Sequence, residues 1–212
     1  MTQSAVESSR AAQKERTRQA IMDAALRLSQ QRGFAQISLR QVTAEAGVVP
    51  TAFYRHFDSM DELGLALVEQ SFSTLRQMIR DAQRDPDTFA NIIDSSAEIL
   101  VRVVKQNKEH FGFVARERAS GSDAVREAIQ RELELFIAEL SVVLVRLPHI
   151  ESWSSEDVKL VAGLFVRNMV YRAEQVVAMP EGRTDREEDI KRKARREMRM
   201  IVLGFANWET DS

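Results

Sequence analysis

The residues best suited to chemistry lie in one short stretch, GVVPTAFYRHF, residues 47–57. It places the hydroxyl group of Tyr54, the guanidinium group of Arg55 and the imidazole of His56 side by side among apolar residues. Tyr54 and His56 can donate hydrogen bonds to phosphate oxygens, and Arg55 adds positive charge beside them. Phe53 and Phe57 are four residues apart, so they share one helix face, which we expect to point inward. The stretch predicts an anion-binding surface held by two aromatic anchors; a helix-end cap is the alternative role for His56.

Other sites of chemistry are poorly represented in the sequence. The chain has no cysteine, which excludes disulfides and thiolate metal ligands. His110 and His149 stand alone, without acidic residues or histidines at ligand spacing, so we expect no metal site. Neither a Gly-x-Ser-x-Gly elbow nor a phosphate-binding glycine loop occurs. We therefore expect a protein that is not an enzyme and that has no cofactor.

Positive charge is concentrated near the N-terminus. Residues 1–57 hold eight basic and four acidic side chains, whereas residues 58–212 hold 22 basic and 28 acidic ones. This distribution predicts that the first quarter meets an anionic partner, with chance unevenness of surface charge as the alternative. No apolar run approaches the roughly 20 residues that span a bilayer, and the polar N-terminus does not resemble a signal peptide. We expect a soluble, cytoplasmic protein.

Helical periodicity dominates the chain, and no strand-like alternation is sustained, which predicts an all-α fold of about nine helices. The expected helices cover about 11–31, 39–46, 50–56, 60–84, 88–106, 107–118, 122–146, 154–179 and 185–208. We expect the first ten residues to be frayed, Gly33 to cap the end of the first helix and Pro86 to break the fourth. The basic tract KRKARREMRM, residues 191–200, follows DREEDI, and the i,i+4 pairs between them predict a solvated helix face.

The second and third helices are spaced as in a helix-turn-helix. Ser38, with Gln41 three residues later, forms a capping box that starts the second helix. Gly47 permits the turn and Pro50 opens the third helix, which would lie in the DNA major groove while the second crosses the backbone. Small apolar residues at the start of the third helix suit thymine methyl groups, and Arg40 and Gln41 are the stronger hydrogen-bonding candidates. The predicted DNA contacts are Lys14, Arg18, Ser38, Arg40, Gln41, Val49, Pro50, Thr51, Ala52, Tyr54, Arg55 and His56.

The segment ISLRQVTAEAGVVPTAFYRHFDSMDELG, residues 37–64, resembles the DNA-binding segment of the TetR family of bacterial repressors. The matching features are the serine cap with Arg40, the alanine-glycine turn, the aromatic-Tyr-x-His-Phe run at 53–57 and Glu62 with Leu63. The family usually has a small polar residue where this chain has Val49, and a lysine where it has Met60. The resemblance implies a homodimer formed by the last two helices, a palindromic double-stranded DNA operator and a hydrophobic small-molecule effector.

A narrower resemblance rests on VVPTAFYRHF at 48–57, MDELGLALV at 60–68 and RERASG at 116–121. These stretches are similar to the subgroup that represses genes of unsaturated fatty acid synthesis or desaturation in response to long-chain acyl-CoA or acyl-carrier thioesters. One alternative is a repressor of an efflux or catabolic operon that senses another hydrophobic molecule. The other is a helical interaction protein that does not bind DNA.

The predicted organisation is a DNA-binding domain at 1–57 and an effector-binding and dimerisation domain at 58–212, with the fourth helix as the mechanical joint. The ligand candidates, whose arginines would meet the CoA phosphates, are Phe72, Phe111, Phe113, Arg116, Arg118, Phe136, Leu140, Phe165 and Met169. The dimer candidates on the last two helices are Val158, Val161, Phe165, Met169, Val176, Ile201, Val202, Phe205 and Trp208. For both sets the alternative is the core of a single chain. We expect the ligand to change the separation of two reading helices, which must lie about 34–36 Å apart to enter successive major grooves.

Overall fold

The computed structural model describes residues 2–83, 92–147, 150 and 152–208, and over these residues the chain is helical and forms no strand. This confirms the predicted all-α class with an N-terminal helix-turn-helix. The helices are α1 Thr2–Ser29, α2 Leu39–Glu45, α3 Pro50–Phe53, α4 Met60–Gln83, α5 Ile92–Gln106, α6 Lys108–Ser120, α7 Asp123–Leu144, α8 Ser155–Ala178 and α9 Thr184–Gly204. Short 3-10 turns follow at Phe34–Gln36 and Phe205–Asn207. The predicted break at Pro86 lies outside the described residues, as does His149.

The first helix differs from its prediction at both ends. α1 begins at Thr2, where the sequence predicts frayed residues, because alanine, glutamine, glutamate, lysine and arginine favour helix and no glycine or proline interrupts them. It ends at Ser29, and Gly33 has a φ of −57°, so Gly33 starts the 3-10 turn and does not cap α1 in a left-handed conformation. The left-handed glycine of this region is Gly47 instead, with a φ of 66°.

One compact unit consists of Met1–Ser71 and Gly112–Ile129. Within it α1 packs against α2, and α2 packs against α3. Buried apolar side chains on these helices include Ile21, Ala25 and Val42. Gly64 on α4 leaves room for its neighbours, because a Cβ atom there would lie 2.8 Å from both the Phe34 ring and a Val125 methyl group.

The second compact unit consists of Phe72–Phe111 and Gln130–Ser212, where α5, α8 and α9 pack against one another. One apolar cluster joins Leu100, Val101 and Val104 to Ala173, Val176, Met179 and Ile190. Another joins Ile137 and Leu144 to Ile150, Val158, Val161, Ala162 and Phe205. The predicted functional boundary at residue 57 stays a prediction, since these units are defined by contacts and not by function.

The basic tract of α9 is largely ion-paired. Two of the predicted i,i+4 pairs form, Lys191–Glu187 at 3.0 Å and Lys193–Asp189 at 2.8 Å. Lys191 is only 9 % exposed, because its Nζ also lies 3.0 Å from Glu98 on α5 and 2.9 Å from Glu188. The tract therefore helps to join α9 to α5 and is not a solvated face throughout.

Candidate nucleic-acid interface

The turn between α2 and α3 is built by local backbone bonds. The Ser38 hydroxyl accepts a hydrogen bond from the Gln41 amide at 3.3 Å, while the Ser38 amide donates to Gln41 Oε1 at 2.9 Å, which completes the capping box. Gly47 then takes its left-handed conformation, and the Val48 amide donates to the Thr43 carbonyl at 2.9 Å. Pro50 occupies the first turn of α3, where its missing amide hydrogen costs no helical bond.

Two aromatic anchors fix the short third helix. Phe53 and Phe57 are 0 % and 1 % exposed, and their ring centroids lie 5.6 Å apart. α3 ends at Phe53, shorter than the predicted 50–56, and residues 54–56 form a turn. The two anchors thus hold a tight turn whose intervening residues differ in exposure: Tyr54 is 59 % exposed, Arg55 is exposed and His56 is half-buried.

The predicted readers at the start of α3 are accessible. Val49 is 63 % exposed, Pro50 and Thr51 are exposed, and Ala52 is half-buried. Val49 is the N-cap of α3, and it offers no side-chain hydrogen bond to the helix. These four residues present an apolar surface with one hydroxyl group, as the sequence predicts, and their contact with base edges stays a prediction.

The two hydrogen-bonding candidates on α2 differ in availability. Arg40 is exposed. Gln41 is half-buried, and its amide oxygen accepts hydrogen bonds from the Ser38 amide and from the Ser38 hydroxyl, each at 2.9 Å. Arg40 is therefore free to extend outward, whereas the Gln41 oxygen already serves the capping box.

The basic residues of α1 also lie at different depths. Lys14 is exposed, whereas Arg18 is half-buried with its guanidinium carbon 5.1 Å from the centre of the Phe57 ring. Arg18 Nη1 also donates to the Met22 sulfur at 3.1 Å. Arg18 therefore supports the Phe57 anchor through a cation–π contact. The charge of Arg18 also helps to lower the pKa of His56.

His56 has a perturbed ionisation. Its Nδ1 atom is buried and has no hydrogen-bond partner. Burial, and then the positive charges of Lys14 and Arg18, lower the pKa of His56 below its ordinary value. The lowered pKa favours the neutral imidazole, which can donate a hydrogen bond to an anion.

The ligand candidates are divided between the two compact units. In the second unit, Phe72 and Phe136 have ring centroids 5.8 Å apart, and the Arg76 guanidinium lies 4.7 Å from the Phe136 ring centre. Phe111 and Met169 pack against the cluster that contains Leu100 and Val176, and Leu140 and Phe165 pack against the cluster that contains Ile137 and Val158. Phe165 and Met169 also pack against a third cluster, which contains Ala97 and Met198.

The other candidates lie in the first unit. Phe113 is fully buried and meets the Phe34 ring edge to face at 5.9 Å. Arg116 Nη2 donates to the Gln30 carbonyl at 3.1 Å, while Arg118 is exposed. The Arg116 guanidinium therefore already forms a hydrogen bond with a backbone carbonyl group. The assignment of this set to an acyl pocket stays a prediction.

A cleft that sequence reasoning missed lies in the second unit. It has a volume of about 220 Å³, and Val104, Val176 and Met179 lie along it with Lys108 and Arg183. None of the ligand candidates lines it. It forms where the connection after α8 passes the end of α5, and periodicity gives no signal for such a meeting of distant segments.

The dimer candidates are mostly turned toward their own chain. Val158, Val161, Val176 and Phe205 are buried within it, and Phe165, Met169, Ile201 and Val202 pack against its apolar clusters. Trp208 is 49 % exposed. Other apolar residues of α8 and α9 are exposed instead: Leu160 at 51 %, Leu164 at 44 %, Tyr171 at 53 %, Met200 at 66 % and Leu203 at 73 %. These five residues are called the outer apolar face below.

The capping box at Ser38, the left-handed Gly47 and the first-turn Pro50 together define a helix-turn-helix in the N-terminal unit. Residues 21–67 match the family of bacterial regulatory proteins named tetR. Over these residues the chain is similar to the DNA-binding segment of that family.

Solved structures of the same fold span nearly the whole chain. A TetR-like transcriptional regulator from Rhodococcus sp. RHA1 is 19 % identical, with a TM-score of 0.66 over 89 % of this chain and 96 % of that one. The fatty acid degradation regulator FadR from Bacillus halodurans is 14 % identical, with a TM-score of 0.67 over 89 % and 95 %. Reduced NemR from E. coli is 21 % identical, with a TM-score of 0.64 over 87 % and 97 %.

Among the residues that the structure describes, no group of three or more histidine, aspartate or glutamate residues is placed to hold a metal ion. No helix in these ranges is both long and apolar enough to cross a membrane.

Proposed function

We propose that this protein is a cytoplasmic, ligand-responsive repressor that binds a palindromic operator as a homodimer. The observation that supports it best is the exposed surface of Val49, Thr51 and Tyr54 above the buried Phe53 and Phe57, within the segment that matches the tetR family. An exposed apolar surface on a rigid support is costly unless a partner covers it.

The contacts divide into positioning and reading. Lys14, Tyr54, Arg55 and His56 contact phosphates, which fixes the register of the protein on the duplex. Arg40, Val49, Pro50, Thr51 and Ala52 face base edges, where a guanidinium suits guanine and small apolar groups suit thymine methyls. Ser38 and Gln41 act through the capping box by holding the first turn of α2.

Dimerisation is proposed to use the outer apolar face. α8 and α9 each expose large apolar side chains that are not covered within one chain, and two such helices from each protomer form a four-helix interface. Replacing Leu203, 73 % exposed, with glutamate should produce monomers in sedimentation velocity. Val142, 61 % exposed on α7, is the matched control, and V142E should stay dimeric. Dimeric L203E would contradict this interface.

The effector is proposed to be a long-chain acyl-CoA or a related lipid thioester that controls fatty acid desaturation genes. The support is the resemblance of residues 48–68 and 116–121 to acyl-responsive repressors, together with the shared fold of a regulator named for fatty acid degradation. Binding would favour one separation of the two reading surfaces over another, and by linkage DNA and ligand would affect each other's affinity equally.

Two titrations test the proposal. Fluorescence anisotropy with DNA from upstream of the gene should show affinity that falls steeply with salt, because several phosphates are neutralised. R40A should lose affinity and base preference, whereas R102A, which removes an exposed arginine on α5, should not. Salt-independent or absent binding would overturn the DNA-binding function.

Thermal denaturation tests the effector separately. A ligand at 100 times its Kd adds about 2.7 kcal/mol to the free energy of unfolding, which raises Tm. Palmitoyl-CoA and oleoyl-CoA should both raise Tm, whereas free CoA should not. A Tm increase with an unrelated hydrophobic drug, and none with any acyl thioester, would replace the lipid role with that of an efflux or catabolic repressor.

A further inference from the structure

A buried carboxylate on α6 contacts the connection between α1 and α2. Glu117 is 0 % exposed, and its Oε1 accepts a hydrogen bond from the Phe34 amide at 2.8 Å. Its second oxygen, Oε2, is buried and has no hydrogen-bond partner. A buried carboxylate with one oxygen unsatisfied is costly in its charged form, so the contact is not explained by stability alone.

Its neighbours hold the same connection. Arg116 donates to the Gln30 carbonyl at 3.1 Å, and Phe113 packs on the Phe34 ring. Gly121 leaves the room that the carboxylate occupies, because a Cβ atom there would lie 2.6 Å from the Glu117 carbonyl oxygen and 3.1 Å from Oε2. Residues of the RERASG motif therefore hold residues 30–34 against α6.

Two opposing effects act on the charge of Glu117. Burial raises the pKa of its carboxyl, against the opposing effects of the Phe34 amide and the Arg116 charge. Arg126 donates to the Gly121 carbonyl at 2.6 Å, and its guanidinium also pairs with Asp123. Since the folded pKa is raised, the fold favours the uncharged carboxyl, and this stability is lost as the pH rises through the folded pKa.

We propose that Glu117 is a positioning residue for DNA binding, whose carboxyl latches the α1–α2 connection when it is uncharged and loosens it when it is charged. The latch acts on α2 because Leu39 begins that helix five residues after Phe34, and buried Ile37 lies between them. A loosened connection costs operator affinity, since α2 and α3 must then be ordered on binding. The inference rests on the proposed DNA-binding function and adds proton control to it.

Glu117→Gln tests the latch, because an amide keeps an acceptor for the Phe34 amide hydrogen and cannot ionise. Operator affinity and Tm are measured from pH 5 to pH 8 for the wild type, E117Q and E69Q, in which an exposed glutamate of α4 is replaced. At pH 8, E117Q should bind the operator about fivefold tighter than the wild type, which is a typical size for coupling between two sites. Its Tm should also be higher than that of the wild type. The wild type should approach E117Q as the pH falls, while E69Q should follow the wild type throughout.

Exchange of the Phe34 amide hydrogen, followed by NMR, provides a structural readout. Its protection should fall with rising pH in the wild type beyond the intrinsic rate change, and E117Q should lack this extra loss. If E117Q raises Tm but leaves operator affinity and its pH profile unchanged, Glu117 is a packing residue only and the inference is overturned. If the wild type binds no operator at low salt, the proposed function fails first, and the latch as a device for DNA binding fails with it.

Discussion

Gly47→Ala should weaken DNA binding through backbone strain alone. Gly47 has a φ of 66°, and a Cβ atom built there would meet no atom within 4 Å, so the substitution causes no clash. The left-handed conformation costs an ordinary residue about 1–2 kcal/mol. Alanine also reduces the conformational entropy of the unfolded chain, which adds about 0.4–1 kcal/mol to the free energy of unfolding. The net loss in the free energy of unfolding is therefore about 1 kcal/mol, or roughly 2–4 °C in Tm for a chain of this length.

Gly182 is the matched control for this prediction. It has a φ of 77° and equally open surroundings, but it lies between α8 and α9, far along the chain from the reading surface. G47A and G182A should lose similar stability in urea denaturation, whereas only G47A should lower operator affinity in anisotropy titrations. G47N should recover part of the loss, because asparagine tolerates the left-handed region. Equal effects of G47A and G182A on DNA binding would refute the assignment of the turn.

Three further substitutions test separate parts of the structure. Phe53→Ala removes a fully buried ring and should cost about 3–5 kcal/mol in urea denaturation, with operator binding lost even below the new Tm. The pKa of His56 is lowered in the folded state, so the unfolded wild type binds more protons and the folded state loses stability as the pH falls below 6.5, the ordinary pKa of histidine. His56→Gln should remove this loss and flatten the plot of stability against pH in that range. Lys191→Met leaves three carboxylates without their shared cation. The free energy of unfolding should fall by about 1–2 kcal/mol and not by more, because Lys105 and Arg195 still pair with two of these carboxylates. K193M, at an exposed position, should change the free energy of unfolding little.

The helix-turn-helix was predictable because its signals are local. The capping box at Ser38, the turn at Gly47 and the first-turn proline at Pro50 each act within a few residues, so the sequence alone specifies them. Gly33 shows the limit of the same reasoning, because α1 ends at Ser29 and Gly33 starts a 3-10 turn without capping the helix. Glycine permits a left-handed conformation but does not require one.

The body of the protein was less predictable, because its contacts join distant segments. Glu117 binds an amide 83 positions away, and nothing in the RERASG motif indicates which of its three charges is buried. α8 and α9 carry apolar residues on more than one face, so periodicity identifies amphipathic helices without deciding which face a single chain buries. The predicted dimer residues included several that this chain covers itself, such as Val158 and Val176.

Val49 shows why the reading surface is better explained by DNA than by folding. A residue at the N-cap of a helix usually accepts a hydrogen bond through a short polar side chain, and an apolar replacement costs about 1 kcal/mol. Val49 makes no such bond and is 63 % exposed, so it serves neither the cap nor the core. Sequences depart from local rules mainly where function requires it. The valine therefore supports the proposal that the start of α3 meets the apolar edges of bases, with Phe53 and Phe57 supplying the stability that the cap does not.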